Sequence, residues 1–279
     1  MHESEMTDSV AIIIFLVVIL LPFVVLTIIL LKTMLYSFSI PLKKGFLKYM
    51  PLSSPSAAQL AIIKNNCAFY NQLNTKQQKS FIKRVKRFIY LKEFIPRGGL
   101  EKVTEEMKLL IACCAIQMTF GFPKIYFEHF TRILIYPDNY YSTITRKFHQ
   151  GEVNTKGIIV LSWSNFQYGF LDKTDGINLG FHELAHAIHF ENLIFNNEYN
   201  FFSKSLLNQF WKIANQEINS INSGKSSLLR PYAANNLPEF FAVVVENFFE
   251  RPSQLHLYNR ELYLLTAKIL NQEKITSLH

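Results

Sequence analysis

The sequence predicts an α+β fold that is mainly helical, contains a small sheet and is preceded by one transmembrane helix. Three observations support this prediction: helical spacing of apolar residues along most of the chain after residue 55, two short β-type runs in its middle, and one long apolar run near its start. The segment from residue 55 to residue 279 is long enough for one domain with a full hydrophobic core.

The long apolar run extends from Val10 to Leu31 and contains one polar residue, Thr27. As a helix it would span about 33 Å at 1.5 Å per residue, enough to cross a hydrocarbon core of roughly 30 Å. Acidic residues precede the run, whereas a cleaved signal peptide would have a positively charged start and a cleavage site of small residues. The run therefore predicts a membrane anchor.

The charges around this run predict its orientation. Lys32, Lys43, Lys44 and Lys48 follow the run, and the side of a membrane helix that carries more lysines usually faces the cytoplasm. The predicted order is an extracytoplasmic N-terminus, a transmembrane helix, a juxtamembrane linker and one folded cytoplasmic domain, at residues 1–9, 10–32, 33–54 and 55–279.

Within the folded domain, the spacing of apolar residues predicts the order of helices and strands. Apolar residues three and four apart indicate helices near residues 57–73, 76–93, 104–119, 178–191, 199–220, 237–249 and 259–271. Thr104 is a typical helix cap and precedes two acidic residues, which favour a helix N-terminus. Apolar runs at 130–136 and 157–163 indicate strands, with residues 151–156 as a turn between them.

The charge and cysteine content of the chain bear on whether it binds membranes, nucleic acids or metals. The net charge of +8 favours contact with an anionic membrane surface, but the basic residues at 83–87 alternate with apolar ones, which favours a solvated helix face over a specific binding surface. No nucleic-acid-binding motif is present, so we expect no nucleic-acid partner. The three cysteines are odd in number and form no C-x-x-C pair, which indicates reduced core thiols rather than metal ligands.

The most informative motif is His182-Glu183-Leu184-Ala185-His186, an H-E-x-x-H sequence. On a helix, residues four apart lie on one face, so His182 and His186 can bind one Zn²⁺ ion. Glu183 can then act as general base on a water held by that ion. The alternative is a purely structural pair of histidines. Because the neighbouring apolar stripe buries this helix, and unpaired buried polar groups are costly, a metal is the favoured interpretation.

A third ligand is expected, since a catalytic zinc site commonly has three protein ligands and one open position. Glu239 is a candidate because Asn236 can cap a helix there and Pro238 suits its first turn. Glu246, seven residues later on about the same face, could orient a ligand histidine. From the residues alone, Glu239 could equally be a first-turn glutamate favoured by the helix dipole, and Glu246 a solvated residue.

An ordered set of motifs resembles a known family. The set comprises residues 160–163, 175–178, 182–186, 232–234, 239–243 and 246–249. It resembles the zinc-dependent peptidases of the Mlc titration factor A family over about residues 55–272. The resemblance implies a zincin-like metallopeptidase domain in which His182, His186 and Glu239 bind Zn²⁺ and Glu183 is the general base.

The resemblance also places Tyr232 near the metal, where it could donate a hydrogen bond to an oxyanion or simply pack beside the site. Two features depart from the family pattern. His189 stands where relatives often have aspartate, and we expect it to be a core or surface histidine rather than a fourth ligand. The N-terminal extension is the second departure.

The sequence thus predicts a membrane-anchored zinc-dependent metallopeptidase, an amino- or endopeptidase, at the bacterial inner membrane with its catalytic domain in the cytoplasm. Its expected partners are a peptide or protein substrate, the lipid bilayer through residues 10–32 and, by the resemblance, a regulatory protein. The alternative is a non-catalytic, zinc-stabilised module that sequesters a regulatory protein at the membrane, although such a module would not need Glu183. The strand at 157–163 could hold an extended substrate at a sheet edge or lie in the core.

Overall fold

The computed structural model describes residues 21–24, 26–31, 53–122, 124–142, 146–172 and 174–273. The chain divides into two units between residues 51 and 52. In the first unit, residues 21–24 and 26–31 are helical and carry exposed large apolar side chains. No helix within the described residues is long and apolar enough to cross a membrane. Residues 1–9 of the expected N-terminal segment, 10–20, 25 and 32 of the expected anchor, and 33–52 of the expected linker lie outside the described residues, so the anchor stays a prediction.

The second unit is mainly helical with a small mixed sheet, which confirms the predicted α+β class. Its helices are α1 (Ala57–Asn66), α2 (Ala68–Gln72), α3 (Thr75–Leu91), α4 (Glu105–Met118), α5 (Trp163–Leu171), α6 (Leu179–Leu193), α7 (Lys204–Asn222), α8 (Leu237–Glu250), α9 (Pro252–Tyr258) and α10 (Arg260–Ile269). A short 3₁₀ turn at Pro231–Ala234 precedes α8. The strands are β1 (Glu93–Pro96), β2 (Arg132–Tyr136), β3 (Tyr140–Ser142), β4 (Lys147–His149), β5 (Gly151–Asn154) and β6 (Ile158–Ser162).

Side-chain caps explain where several helices begin. Ser56 and Gln59 form a capping box at α1, and Asn74 and Gln77 form another at α3, so each pair satisfies two backbone groups at a helix start. Thr104 caps α4, as predicted. The helix expected at 57–73 is instead two helices, because the backbone at Cys67 leaves the helical region and α2 starts again from there.

The main sheet has the strand order β1-β2-β6-β5, with β5 antiparallel to β6 and the other pairs parallel. The turn expected at 151–156 is wrong for residues 151–154, which form strand β5 paired with β6. Strand β5 has only four residues, all half-buried, and apolar and polar side chains do not alternate along it. The sequence pattern therefore does not reveal this strand. The chain reverses within the next three residues, where Gly157 adopts a φ of +77°.

The position of β6 settles one alternative left open by the sequence. It lies between β2 and β5 and is buried from Ile159 to Ser162, so it is a core strand and not the sheet edge. The edge of the sheet on the side of β6 is β5. The separate hairpin of β3 and β4, and helices α5 and α9, carry no clear periodic pattern and were not expected from the sequence.

Helix α6, here called the motif helix, lies in the middle of the second unit. It packs against α8, α4 and α5, and β5 and β6 contact it as well. Leu184, Ala185 and Ile188 are fully buried, as is the run from Ala242 to Val245 on α8. The apolar stripe of the motif helix therefore anchors its polar residues at fixed positions between α8 and the sheet.

Candidate metal centre

The start of the motif helix is fixed by Asn178. Its Oδ1 accepts a hydrogen bond from the backbone N–H of Phe181 at 3.0 Å and so caps the helix. Its own backbone N–H donates to Glu246 Oε2 at 2.7 Å, so the cap is tied to α8. One turn later, His182 and Glu183 are buried with exposed fractions of 7% and 5%.

Three predicted ligand residues meet at one point. Glu239 Oε2 lies 3.1 Å from His182 Nε2 and 3.3 Å from His186 Nε2, and the two imidazole nitrogens are 3.2 Å apart. Ligand atoms bound tetrahedrally at about 2.0–2.1 Å would be roughly 3.3 Å from one another. The three donors therefore have the mutual spacing of a metal-ligand set, and the structure brings them together from α6 and α8.

The chemistry of the donors also fits a cation. Glu239 Oε2 is buried and makes no hydrogen bond of acceptable geometry among the described residues, although it faces both imidazoles. His182 Nδ1 lies 2.7 Å from Glu246 Oε1, so the ring proton belongs on Nδ1 and leaves the Nε2 lone pair directed at Glu239. A buried carboxylate oxygen and two imidazole lone pairs that converge are satisfied together by one metal ion.

The same closeness shifts the pKa values of these groups. Burial would raise the pKa of Glu239, but the adjacent imidazoles of His182 and His186 outweigh it and hold that pKa well below its ordinary value. Burial opposes protonation of His182, yet Glu239 and Glu246 outweigh it and raise its pKa to about 10. Both shifts favour a positive charge between Glu239 and the Nε2 atom of His182.

Glu183 has the environment of a proton acceptor near neutral pH. Burial raises its pKa to about 7, while the neighbouring imidazoles of His182 and His186 act in the opposite direction. A general base works best when its pKa lies close to the working pH. The edge strand approaches this carboxylate closely, because a Cβ atom added at Gly151 would lie 2.5 Å from Glu183 Oε1.

A buried ion pair between Glu246 and Arg230 contacts His182 at Nδ1. Glu246 is completely buried, and Arg230 donates to both of its oxygens, with Nη2 at 2.7 Å from Oε1 and Nη1 at 3.0 Å from Oε2. The structure thus brings Glu246 to the ligand histidine as one sequence interpretation suggested. Arg230 was missed, because its partner is 16 residues away in the chain and no local pattern links them.

Tyr232 lies beside the donors, as the resemblance implied. Its ring centroid is 5.8 Å from that of His182, and the Arg230 guanidinium lies 5.6 Å from the same tyrosine ring. Burial, then the carboxylates of Glu239 and Glu183, raise the pKa of Tyr232, so its hydroxyl keeps its proton at neutral pH. The phenol is therefore a hydrogen-bond donor next to the site.

His189 lies apart from the three donors. It is half-buried, and its ring packs near the rings of Trp211 and Phe241 at centroid distances of 5.8 and 6.0 Å. Burial lowers the pKa of this histidine, which favours its neutral form. The expectation of a core histidine agrees with these contacts.

Of the three donor residues, His182 lines a cleft of about 780 Å³. Its lining includes Gly151 from the edge strand, Glu183, Arg230 and Tyr232. A cleft of this volume is within the range of ordinary ligand sites, roughly 300–1,000 Å³. An extended chain segment placed along β5 would thus pass beside the general-base candidate and the metal donors.

Comparison with known proteins decides the family. Residues 48–270 match the model of the glucose-regulated metallo-peptidase M90 family. The chain belongs to this family. It is 26% identical over 228 residues to the uncharacterized protein slr2042 of Synechocystis sp., an alignment that covers 75% of this chain and 81% of that protein. It is also 25% identical over 230 residues to Mlc titration factor A of Escherichia coli O7:K1 and of Shigella flexneri serotype 5b, covering 74% of this chain and 83% of each relative.

Proposed function

We propose that this member of the M90 family is a zinc-dependent peptidase that uses Glu183 as its general base. His182, His186 and Glu239 would hold the ion. The observation that carries the proposal is the convergence of their three donor atoms at 3.1–3.3 Å, directly beside a buried carboxylate. Zinc in such a site supplies Lewis acidity and one open coordination position, where water and a peptide carbonyl can be activated.

In the proposed reaction, Glu183 transfers protons, Tyr232 donates a hydrogen bond, and two further residues orient His182. Glu183 takes a proton from the attacking water and passes it to the amine that leaves, because a carboxyl whose pKa is about 7 can both accept and release a proton near neutral pH. Tyr232 keeps its proton and donates a hydrogen bond to the oxygen that becomes negative. Glu246 and Arg230 hold His182 in one ring orientation throughout.

The substrate is a peptide, bound in an extended conformation against β5. This strand pairs with β6 on one side, so its other side is the edge of the four-stranded sheet. An exposed sheet edge binds extended peptides through main-chain hydrogen bonds. The absence of a side chain at Gly151 leaves room for Glu183 beside that strand. This combination of edge strand and motif helix supports a zincin-like arrangement.

The proposal includes membrane attachment and a protein partner. Support for the anchor is the apolar run at residues 10–31 and the exposed apolar side chains of residues 26–31. Lysines after the run support a cytoplasmic catalytic domain at a bacterial inner membrane. The relatives named Mlc titration factor A support a regulatory protein partner for this chain as well.

The test compares metal content and peptidase turnover in the full chain and three variants. We expect Glu183→Gln to retain zinc and lose hydrolysis, His186→Ala to lose both, and the exposed control Glu101→Gln to retain both. The reason is that Glu183 transfers protons and His186 binds the metal. Retained turnover in Glu183→Gln would rule out the mechanism.

One outcome favours a different function. The name Mlc titration factor A describes titration of a protein rather than hydrolysis. If wild type and Glu183→Gln both hold zinc and neither hydrolyses peptides, with or without a bound regulatory protein, the chain is a zinc-stabilised module that sequesters that protein.

A further inference from the structure

The lining of the metal cleft includes large apolar side chains that are open to solvent. Phe148, Tyr168 and Ile177 all line this cleft, and they are 73%, 51% and 45% exposed. They come from three separate segments, namely strand β4, helix α5 and the loop before the motif helix. Single exposed apolar residues are ordinary on a protein surface, but several that line one concave site are typical of a surface that binds a ligand.

The polar residues of the same cleft offer little to a charged ligand. Apart from Glu183 and the ion pair of Arg230 with Glu246, the described residues that line the cleft include no carboxylate, lysine or arginine. Their polar side chains outside the metal centre are mainly neutral amides. A charged substrate side chain would therefore lose water and gain no partner of opposite charge, which costs free energy. An apolar side chain pays no such cost.

Two of the apolar residues are close in the chain to groups of the metal centre. Phe148 lies three residues before Gly151, where an added Cβ atom would be 2.5 Å from Glu183 Oε1. At about 3.3 Å per extended residue, Phe148 is within about 10 Å of Gly151. Ile177 directly precedes Asn178, the cap of the motif helix. A substrate side chain that contacts these residues therefore belongs to a residue near the bond that is cleaved.

We propose that Phe148, Tyr168 and Ile177 form a subsite that selects peptides with a large apolar residue, aliphatic or aromatic, beside the cleaved bond. The inference rests on the proposed peptidase function and names its substrate class. A leucine or phenylalanine side chain in the subsite removes apolar surface of both partners from water, which glycine does not do. The subsite binds the substrate and the transition state alike, so it lowers KM and leaves kcat nearly unchanged.

The test separates binding from hydrolysis. The probes are peptides Ala-Ala-X-Ala-Ala in which X is leucine, phenylalanine, lysine, glutamate or glycine. Calorimetry measures their binding to the full chain with Glu183→Gln in the presence of zinc, and mass spectrometry measures their hydrolysis by wild type. We expect the leucine and phenylalanine peptides to bind about tenfold or more tightly than the other three, with KM in the same order. Equal binding of all the peptides, tighter binding of a charged one, or no binding would overturn the proposal.

Variants locate the preference on the cleft. Phe148→Ser and Tyr168→Ser should each weaken binding of the leucine and phenylalanine peptides by about threefold or more, and should leave the glycine peptide and the zinc content unchanged. Leu171→Ser and Phe195→Ser are matched controls, because these apolar side chains are also largely exposed but do not line the cleft. Unchanged selectivity in both cleft variants, or an equal loss in the controls, would assign the preference to another surface.

Failure of the subsite and failure of the peptidase function give different results. Selective binding of the apolar peptides without hydrolysis by wild type would contradict the peptidase function and support the subsite. Hydrolysis of all the peptides at one KM would contradict the subsite and support the peptidase function.

Discussion

Glu246 and Glu250 lie one helical turn apart on α8, and both bind Asn178, yet their surroundings are opposite. Glu246 accepts hydrogen bonds from the backbone of Asn178 and from Arg230, and it contacts His182 Nδ1. Glu250 accepts one bond from the Asn178 side chain and keeps one buried oxygen without a partner among the described residues. Both oxygens of Glu246 therefore have hydrogen-bond partners, whereas Glu250, one turn later on the same helix face, has a partner for only one oxygen.

The two carboxylates differ in the number of hydrogen-bond donors that surround them. At Glu246, donors from the start of the motif helix and from Arg230 surround the charge, which fixes the orientation of a ligand histidine. At Glu250, the Asn178 side chain donates to one oxygen, and the other oxygen is buried without a partner among the described residues. The cap residue Asn178 donates to both, so the two carboxylates share one structural link at the start of the motif helix.

We expect the largest effect on stability and metal affinity from replacing Glu246, whose two oxygens both have hydrogen-bond partners. Glu246→Leu leaves Arg230 and His182 without their acceptor, so we expect a loss of about 3–5 kcal/mol in the free energy of unfolding. Metal affinity should fall by about 10–100-fold, because the ligand histidine loses its orienting partner. The matched change, Glu250→Leu, should leave metal affinity nearly constant. Chemical denaturation and metal titration of both variants measure this; equal losses of metal affinity would remove the distinction between the two carboxylates.

A smaller effect should come from Arg230→Met. It leaves the buried Glu246 carboxylate with fewer donors, so both metal affinity and stability should decrease. In a double-mutant cycle with Glu246→Gln, the two changes should be less than additive by about 0.5–3 kcal/mol, since they disrupt one ion pair. Denaturation of the wild type, both single variants and the double variant gives the coupling energy, and strict additivity would show that the pair acts independently.

The last effect is confined to the pH dependence of stability at Glu250. Its pKa is about 7 in the folded protein against an ordinary value of 4.5, so the folded state holds its proton at pH values where the unfolded chain has lost it. Its contribution to stability therefore decreases as pH rises from about 4.5 to about 7. Glu250→Gln should gain stability relative to wild type across this window, as measured by denaturation at several pH values. A constant difference between the two proteins would contradict the raised pKa.

Much of the fold follows from local sequence. The helices predicted near 104–119, 178–191 and 237–249 are present with ends displaced by a few residues, because caps and apolar spacing act within one or two turns. The strand at 151–154 could not be read in this way. Its four residues have no apolar alternation, and its place at the sheet edge depends on pairing with β6.

The sequence by itself determined the arrangement of His182, Glu183 and His186, because residues one and four apart on a helix have fixed relative directions. Only the tertiary structure decided which distant groups complete the centre. Glu246 lies 64 residues from His182 along the chain, and Arg230 lies 48 residues away, so their approach depends on how α8 and the preceding turn pack against the motif helix. The same packing left one oxygen of Glu250 without a partner among the described residues, because it placed several donors around Glu246 and brought only the Asn178 side chain to Glu250.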